Sequence, residues 1–135
     1  MSHTHHFLYV EDDDTSRMVM EVLLSYWGHD YELSLFEDST DFISRLESLP
    51  ARPDIIFLDI HMKPHTGFEM LEMLRGHQDY QNTTIIALTA SVMNEEIHNL
   101  KQVGFNGAIA KPLNRELLPQ LLTSICNGES VWHVN

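Results

Sequence analysis

Five times along the chain a short apolar run is followed by a longer stretch whose apolar residues recur at helical spacing. No other feature restricts the fold as much. The runs are Phe7–Val10, Tyr31–Phe36, Ile55–Leu58, Thr84–Leu88 and Gly107–Ala110. Runs this short, bounded by polar residues, glycine or proline, read as strands. Ile55–Leu58 has no polar position, as a strand covered on both faces requires. The intervening stretches predict helices. One runs from Thr15 to Trp27, with Met18, Val19, Val22, Leu23 and Tyr26 as its apolar set, and another over Asp38–Leu49, with Phe42, Ile43, Leu46 and Leu49 on one face. The others cover Gly67–Arg75, Asn94–Val103 and Asn114–Ile125, the last with Leu117, Leu118, Leu121 and Leu122 as its stripe. Asp14 or Thr15 is expected to cap the first helix and Asn114 the last, and Gly28 to end the first.

Strand and helix in strict alternation imply a parallel sheet with helices on both faces, because a parallel crossover needs a connection about as long as a helix. The expected fold class is therefore α/β, a five-stranded parallel sheet in the flavodoxin-like order 2-1-3-4-5. That order belongs to doubly wound sheets of this kind and is not deduced from the residues. A length of 135 residues fits one domain. Its core is expected over about 7–125, and residues 128–135 form a loose tail in which Val131 and Trp132 are able to dock.

The charge balance removes several functions. A formal charge of −12 with only 8 Lys and Arg repels phosphate backbones and anionic lipid, so no direct nucleic-acid binding is expected. No apolar run approaches the roughly 20 residues of a membrane span, so no membrane insertion is expected. The single cysteine, Cys126, makes no internal disulfide and fits a reducing compartment. The start, MSHTHHFLYV, lacks the marks of a signal peptide, and a cytoplasmic location follows as the expectation. His3, His5 and His6 read as an unstructured start rather than a metal tract. Met20, Met62, Met70, Met73 and Met93 read as core or gap filler.

In an open sheet of this kind ligands bind beyond the carboxyl ends of the strands, and the polar residues gather there. Strand one runs into Glu11-Asp12-Asp13, strand three into Asp59, strand four into Thr89-Ala90-Ser91 and strand five into Lys111-Pro112. Carboxylates crowded together resist ionising, which a divalent cation relieves. Mg²⁺ suits oxygen ligands and pairs with phosphate. A carboxylate can also attack phosphorus and form an aspartyl-phosphate. An ammonium such as Lys111 and a hydroxyl such as Thr89 then supply the remaining charge neutralisation.

From about Phe7 to Ile125 the chain resembles the receiver domain of two-component response regulators. The segments LYVEDD, FLDIHMKPHTG, ALTAS and AIAKP carry the resemblance. Each is weak alone; the four in order, at the ends of alternate elements, are specific. The resemblance implies that Asp59 accepts a phosphoryl group from a histidine kinase or histidine phosphotransfer protein. It implies Mg²⁺ held by Asp12 directly, by Glu11 through water, by Asp59, and by the backbone carbonyl of His61. Thr89 and Lys111 would contact the phosphoryl oxygens, and the Lys111–Pro112 bond would be cis. Asp13, one place beyond the expected pair, reads as a helix-start acid. Any catalysis would be limited to the domain's own phosphorylation and dephosphorylation.

Three positions depart from the common pattern. The usual Met-Pro pair after the acceptor is split as Met62-Lys63-Pro64, with the spacing to Gly67 kept. His61 stands where a side chain would overhang the phosphoryl group. Ala108 replaces the aromatic switch residue of many relatives, which puts phosphorylation-controlled output in question. The stretch from ALTAS to AIAKPLN is somewhat more similar to hybrid-kinase receivers than to transcription factors, and the downstream protein is not legible. A homodimer stays open. Two other classes fit the residues less well. A phosphatase with Asp59 as nucleophile wants a second acid at position 61, where His61 stands. An interaction module without phosphorylation-dependent output would not need the intact acid, threonine and lysine set.

Overall fold

The computed structural model describes residues 4–91 and 93–133. Six strands form one parallel sheet: β1 (His5–Val10), β2 (Tyr31–Phe36), β3 (Ile55–Asp59), β4 (Thr84–Thr89), β5 (Gly107–Ala110) and β6 (Val131–His133). Their order is β2-β1-β3-β4-β5-β6. The five expected strands and their order are present, and the sixth is a correction: part of the tail expected to be loose pairs with β5. The helices are α1 (Asp14–Leu24), α2 (Phe42–Glu47), α3 (Gly67–Arg75), α4 (Asn94–Val103) and α5 (Leu118–Cys126).

Alternation along the strands builds two cores. Leu8, Val10, Ile56, Leu58, Ile85, Ala87 and Ala108 face Phe42, Leu46, Met70, Leu74 and Leu100 from α2, α3 and α4. Phe7, Tyr9, Ile55, Phe57, Ile86, Leu88 and Ile109 face Met20, Leu23, Leu24, Leu118, Leu122 and Ile125 from α1 and α5. Each strand residue therefore serves one layer, as a period of two dictates.

Several local expectations need correcting. On α1 the buried set is Met20, Leu23 and Leu24, with Trp27 just beyond, whereas Met18, Val22 and Tyr26 are exposed. Two apolar stripes share this helix at helical spacing, and docking against α5 and the sheet selects the one carrying Leu24 and Trp27. Its N-cap is Asp13, whose carboxylate accepts from Ser16 N at 2.8 Å. Helix α2 starts four residues later than expected. Asp41 before it is left-handed, and the Arg45 guanidinium holds Asp38 Oδ1 and the Thr40 carbonyl. Asn114 caps a turn rather than α5 itself, accepting from Glu116 N and Leu117 N; the buried stripe is Leu118, Leu122 and Ile125. Met93 is exposed. His5 and His6 open β1: the His5 ring lies against Trp27, and His6 Nδ1 is 2.9 Å from Glu32. His3 lies outside the described residues.

Two glycines are required by close approach. A Cβ on Gly67, the first residue of α3, would sit 2.8 Å from the Asp59 carbonyl oxygen, so this helix packs directly on the end of β3. A Cβ on Gly107 would clash with the Val131 carbonyl oxygen, so β6 reaches β5 only because that side chain is missing. Beside it Trp132 pairs with Ala108 and lies under the Lys101 ammonium, 5.1 Å from its ring. Gly107→Ala is therefore expected to part β6 from β5 and leave the five inner strands paired. Amide exchange should accelerate at Val131–His133 while β1, β3 and β4 stay protected; unchanged protection of β6 would refute the steric reading.

Candidate functional site

Strand ends deliver the site's side chains to one edge of the sheet. Register places Val10 beside Leu58 and Asp59 beside Leu88, so β1, β3 and β4 finish side by side. Glu11 follows β1 and Lys111 follows β5. One oxygen each from Glu11, Asp12 and Asp59 lies within 4.8 Å of the others. Glu11 is fully buried and Asp59 nearly so, while Asp12 is exposed.

Lys111 Nζ lies 2.6 Å from Glu11 Oε1 and 3.5 Å from Asp59 Oδ2. His61 N donates to Asp59 Oδ1 at 3.1 Å. Burial first, then the neighbouring Glu11 carboxylate, pushes Asp59 up to about 6. Burial would raise Glu11 as well, but hydrogen bonds from Asp59, Lys111 and Tyr9 outweigh it and hold Glu11 below the usual carboxylate range. Burial also opposes the charge on Lys111, yet its contacts with Glu11 and Asp59 hold its pKa above the ordinary lysine value. The pair Glu11–Asp59 thus keeps one proton longer than separate acids do, because two adjacent buried carboxylates share a single ammonium.

The geometry gathers Glu11, Asp12, Asp59 and Lys111. Thr89 is buried at the end of β4, but its hydroxyl exchanges hydrogen bonds with the Ser91 backbone, 3.1 Å each way. The His61 side chain is exposed and borders a cavity of about 210 Å³ with Ile60, Phe68, Thr89 and Leu100. Lys63 is exposed. The Lys111–Pro112 bond is cis, and so is Lys63–Pro64.

Three supporting residues were not singled out from the sequence. The Tyr9 hydroxyl donates to Glu11 Oε1 at 2.7 Å; the strand period puts residues 9 and 11 on one side, so this signal was available. Arg17 donates to the Glu11 carbonyl at 2.7 Å. Ser39, fully buried, bridges the loop after β2 to the loop after β3: its hydroxyl donates to the His65 carbonyl and accepts from His65 N. No local pattern announces that contact across 26 residues.

The response regulator receiver domain family model matches residues 7–123. The chain belongs to this family. Over 121 residues, 88% of the chain, it is 30% identical to the osmosensing histidine protein kinase of Saccharomyces cerevisiae, and it spans 10% of that protein. Its fold superposes on the chemotaxis response regulator CheY4 of Vibrio cholerae with a TM-score of 0.77 and 28% identity, covering 91% of this chain and 99% of that one. It also superposes on the receiver domain of a Pseudomonas aeruginosa sensor histidine kinase, a structure with a magnesium ion coordinated in its active-site cleft. There the TM-score is 0.75 and the identity 28%, over 90% of this chain and 96% of that one. The receiver thus spans only 10–13% of the first three curated relatives it matches. The donors at the acidic edge, Glu11, Asp12 and Asp59, are compatible with Mg²⁺. No described helix is long and apolar enough to cross a membrane.

Proposed function

We propose that this single receiver unit takes a phosphoryl group from a phosphohistidine donor, a histidine kinase or a histidine phosphotransfer protein, onto Asp59 in the cytoplasm. The observation that carries the reading is the setting of Asp59: a nearly buried carboxyl at the end of β3, with two further acids within 4.8 Å and an ammonium 3.5 Å away. The set fits a divalent cation on its own chemistry. Three crowded carboxylates, one of them held protonated up to about pH 6, gain from a positive charge among them. Mg²⁺ bound there would neutralise phosphoryl charge. Asp12, Asp59 and the His61 carbonyl would be direct ligands, with Glu11 acting through water.

The protein's own groups do the rest. An Asp59 oxygen attacks phosphorus as the bond to the donor imidazole nitrogen breaks, and the imidazole regains a proton. Lys111 is close enough to turn from Glu11 to a phosphoryl oxygen, and Thr89 supports a second once its hydroxyl leaves Ser91. A module without phosphorylation-dependent output leaves this charged set without a task.

The test is transfer from phosphorylated histidine phosphotransfer proteins, with and without Mg²⁺. Labelling of the wild type should require Mg²⁺. Asp12→Ala should lower Mg²⁺ affinity by at least about tenfold, since an open site relies on only one or two carboxylates. Equal Mg²⁺ affinity in both proteins by calorimetry would remove Asp12 from the ligand set.

A further inference from the structure

We propose that Tyr9 is a positioning residue that frees Lys111 to turn toward the phosphoryl group. The proposal rests on the phosphoacceptor reading above. Glu11 Oε1 accepts from two donors, the Tyr9 hydroxyl at 2.7 Å and Lys111 Nζ at 2.6 Å. Glu11 is fully buried, and its other oxygen accepts from Asp13 N at 3.3 Å. Lys111 cannot grip Glu11 and pair fully with a phosphoryl oxygen at once. As it leaves, Oε1 needs another donor, because an unsatisfied buried carboxylate oxygen is costly.

Tyr9 is that donor. It sits on β1 two residues before Glu11, on the same side of the strand, and its ring is wedged against Phe57. The hydroxyl therefore stays in place while the lysine moves. A cavity of about 120 Å³ borders Tyr9 and Lys111 beside Val19 and Leu113, which gives the lysine stem room to move. Phenylalanine at position 9 would keep the ring and remove only the donor. Glu11 Oε1 would then lean on Lys111 in place of Tyr9, which would hold the ammonium there.

The experiment compares beryllofluoride affinity at saturating Mg²⁺, read by fluorine NMR, in the wild type, Tyr9→Phe, Lys111→Ala and the double variant. Tyr9→Phe should weaken beryllofluoride by about tenfold, the loss of one hydrogen bond to a charged buried group. Mg²⁺ affinity of the resting protein should change far less. In the Lys111→Ala background the further effect of Tyr9→Phe should vanish. An equal loss in both backgrounds, an equal loss of Mg²⁺ affinity, or no loss at all would overturn the proposal. Failure of the wild type to bind beryllofluoride would instead overturn the phosphoacceptor reading beneath it.

Discussion

Asp59→Asn is expected to take no phosphoryl group from acetyl phosphate, while the wild type gains one. The substitution keeps size and most hydrogen bonding but removes the nucleophilic carboxylate oxygen. The other acids are poor substitutes. Glu11 is fully buried, with Oε1 already held by Tyr9 and Lys111. Asp12 is exposed at the edge, and His61 N donates to Asp59. Intact-mass spectrometry with Mg²⁺ present should show the mass of one added phosphoryl group on the wild type and none on the variant. Full modification of the variant at another residue would end the assignment of Asp59.

The same substitution should stabilise the cation-free protein at pH 7. Asp59 titrates at about 6 in the folded chain, above its ordinary value. The folded state therefore binds this proton more tightly than the unfolded state does. Stability is highest below the unfolded pKa and falls as pH rises between about 4 and about 6, with the loss complete above that. The full cost is on the order of 1–3 kcal/mol. Glu11 acts with the opposite sign. Its folded pKa is lowered, so its contribution is present above its ordinary value and is lost as pH falls below it. The two windows separate, and Asp59 governs the interval near pH 5–6. Urea unfolding with a chelator present should show the wild type more stable at pH 5 than at pH 7. Asp59→Asn should remove that slope and exceed the wild type at pH 7 by about 1–3 kcal/mol. Saturating Mg²⁺ should erase most of the difference. A wild type equally stable at both pH values would show that the folded site does not hold Asp59's proton.

The site is legible in the sequence where one residue at a strand end carries the information. Glu11, Asp59, Thr89 and Lys111 each close or follow an apolar run, so the strand pattern alone sends them to one edge. A side chain's partner far along the chain leaves no such local mark. The Thr89 hydroxyl is turned into its own loop, and Lys111 sits closer to Glu11 than to Asp59; neither choice follows from spacing. Ser39 was read only as part of a helix, yet its hydroxyl ties down the loop that follows Asp59.

What the sequence by itself determined is the set of elements and the edge that bears the chemistry. Apolar period and run length depend on neighbouring residues only, and the alternation of strand and helix leaves the parallel sheet as the way to bury both. The bounds of β2, α3, α4 and β5 accordingly stand as read. What only the tertiary structure decided is which of two apolar stripes on α1 is buried, and that β6 joins the sheet. Trp27 and Leu24 gain more by docking on α5 and the strands than Met18, Val22 and Tyr26 would, a comparison that requires the partner surface. Residues 131–133 are too short to declare a strand. They form one because Gly107 presents bare backbone at the sheet edge, and a strand at an edge is completed by whatever chain fits against it.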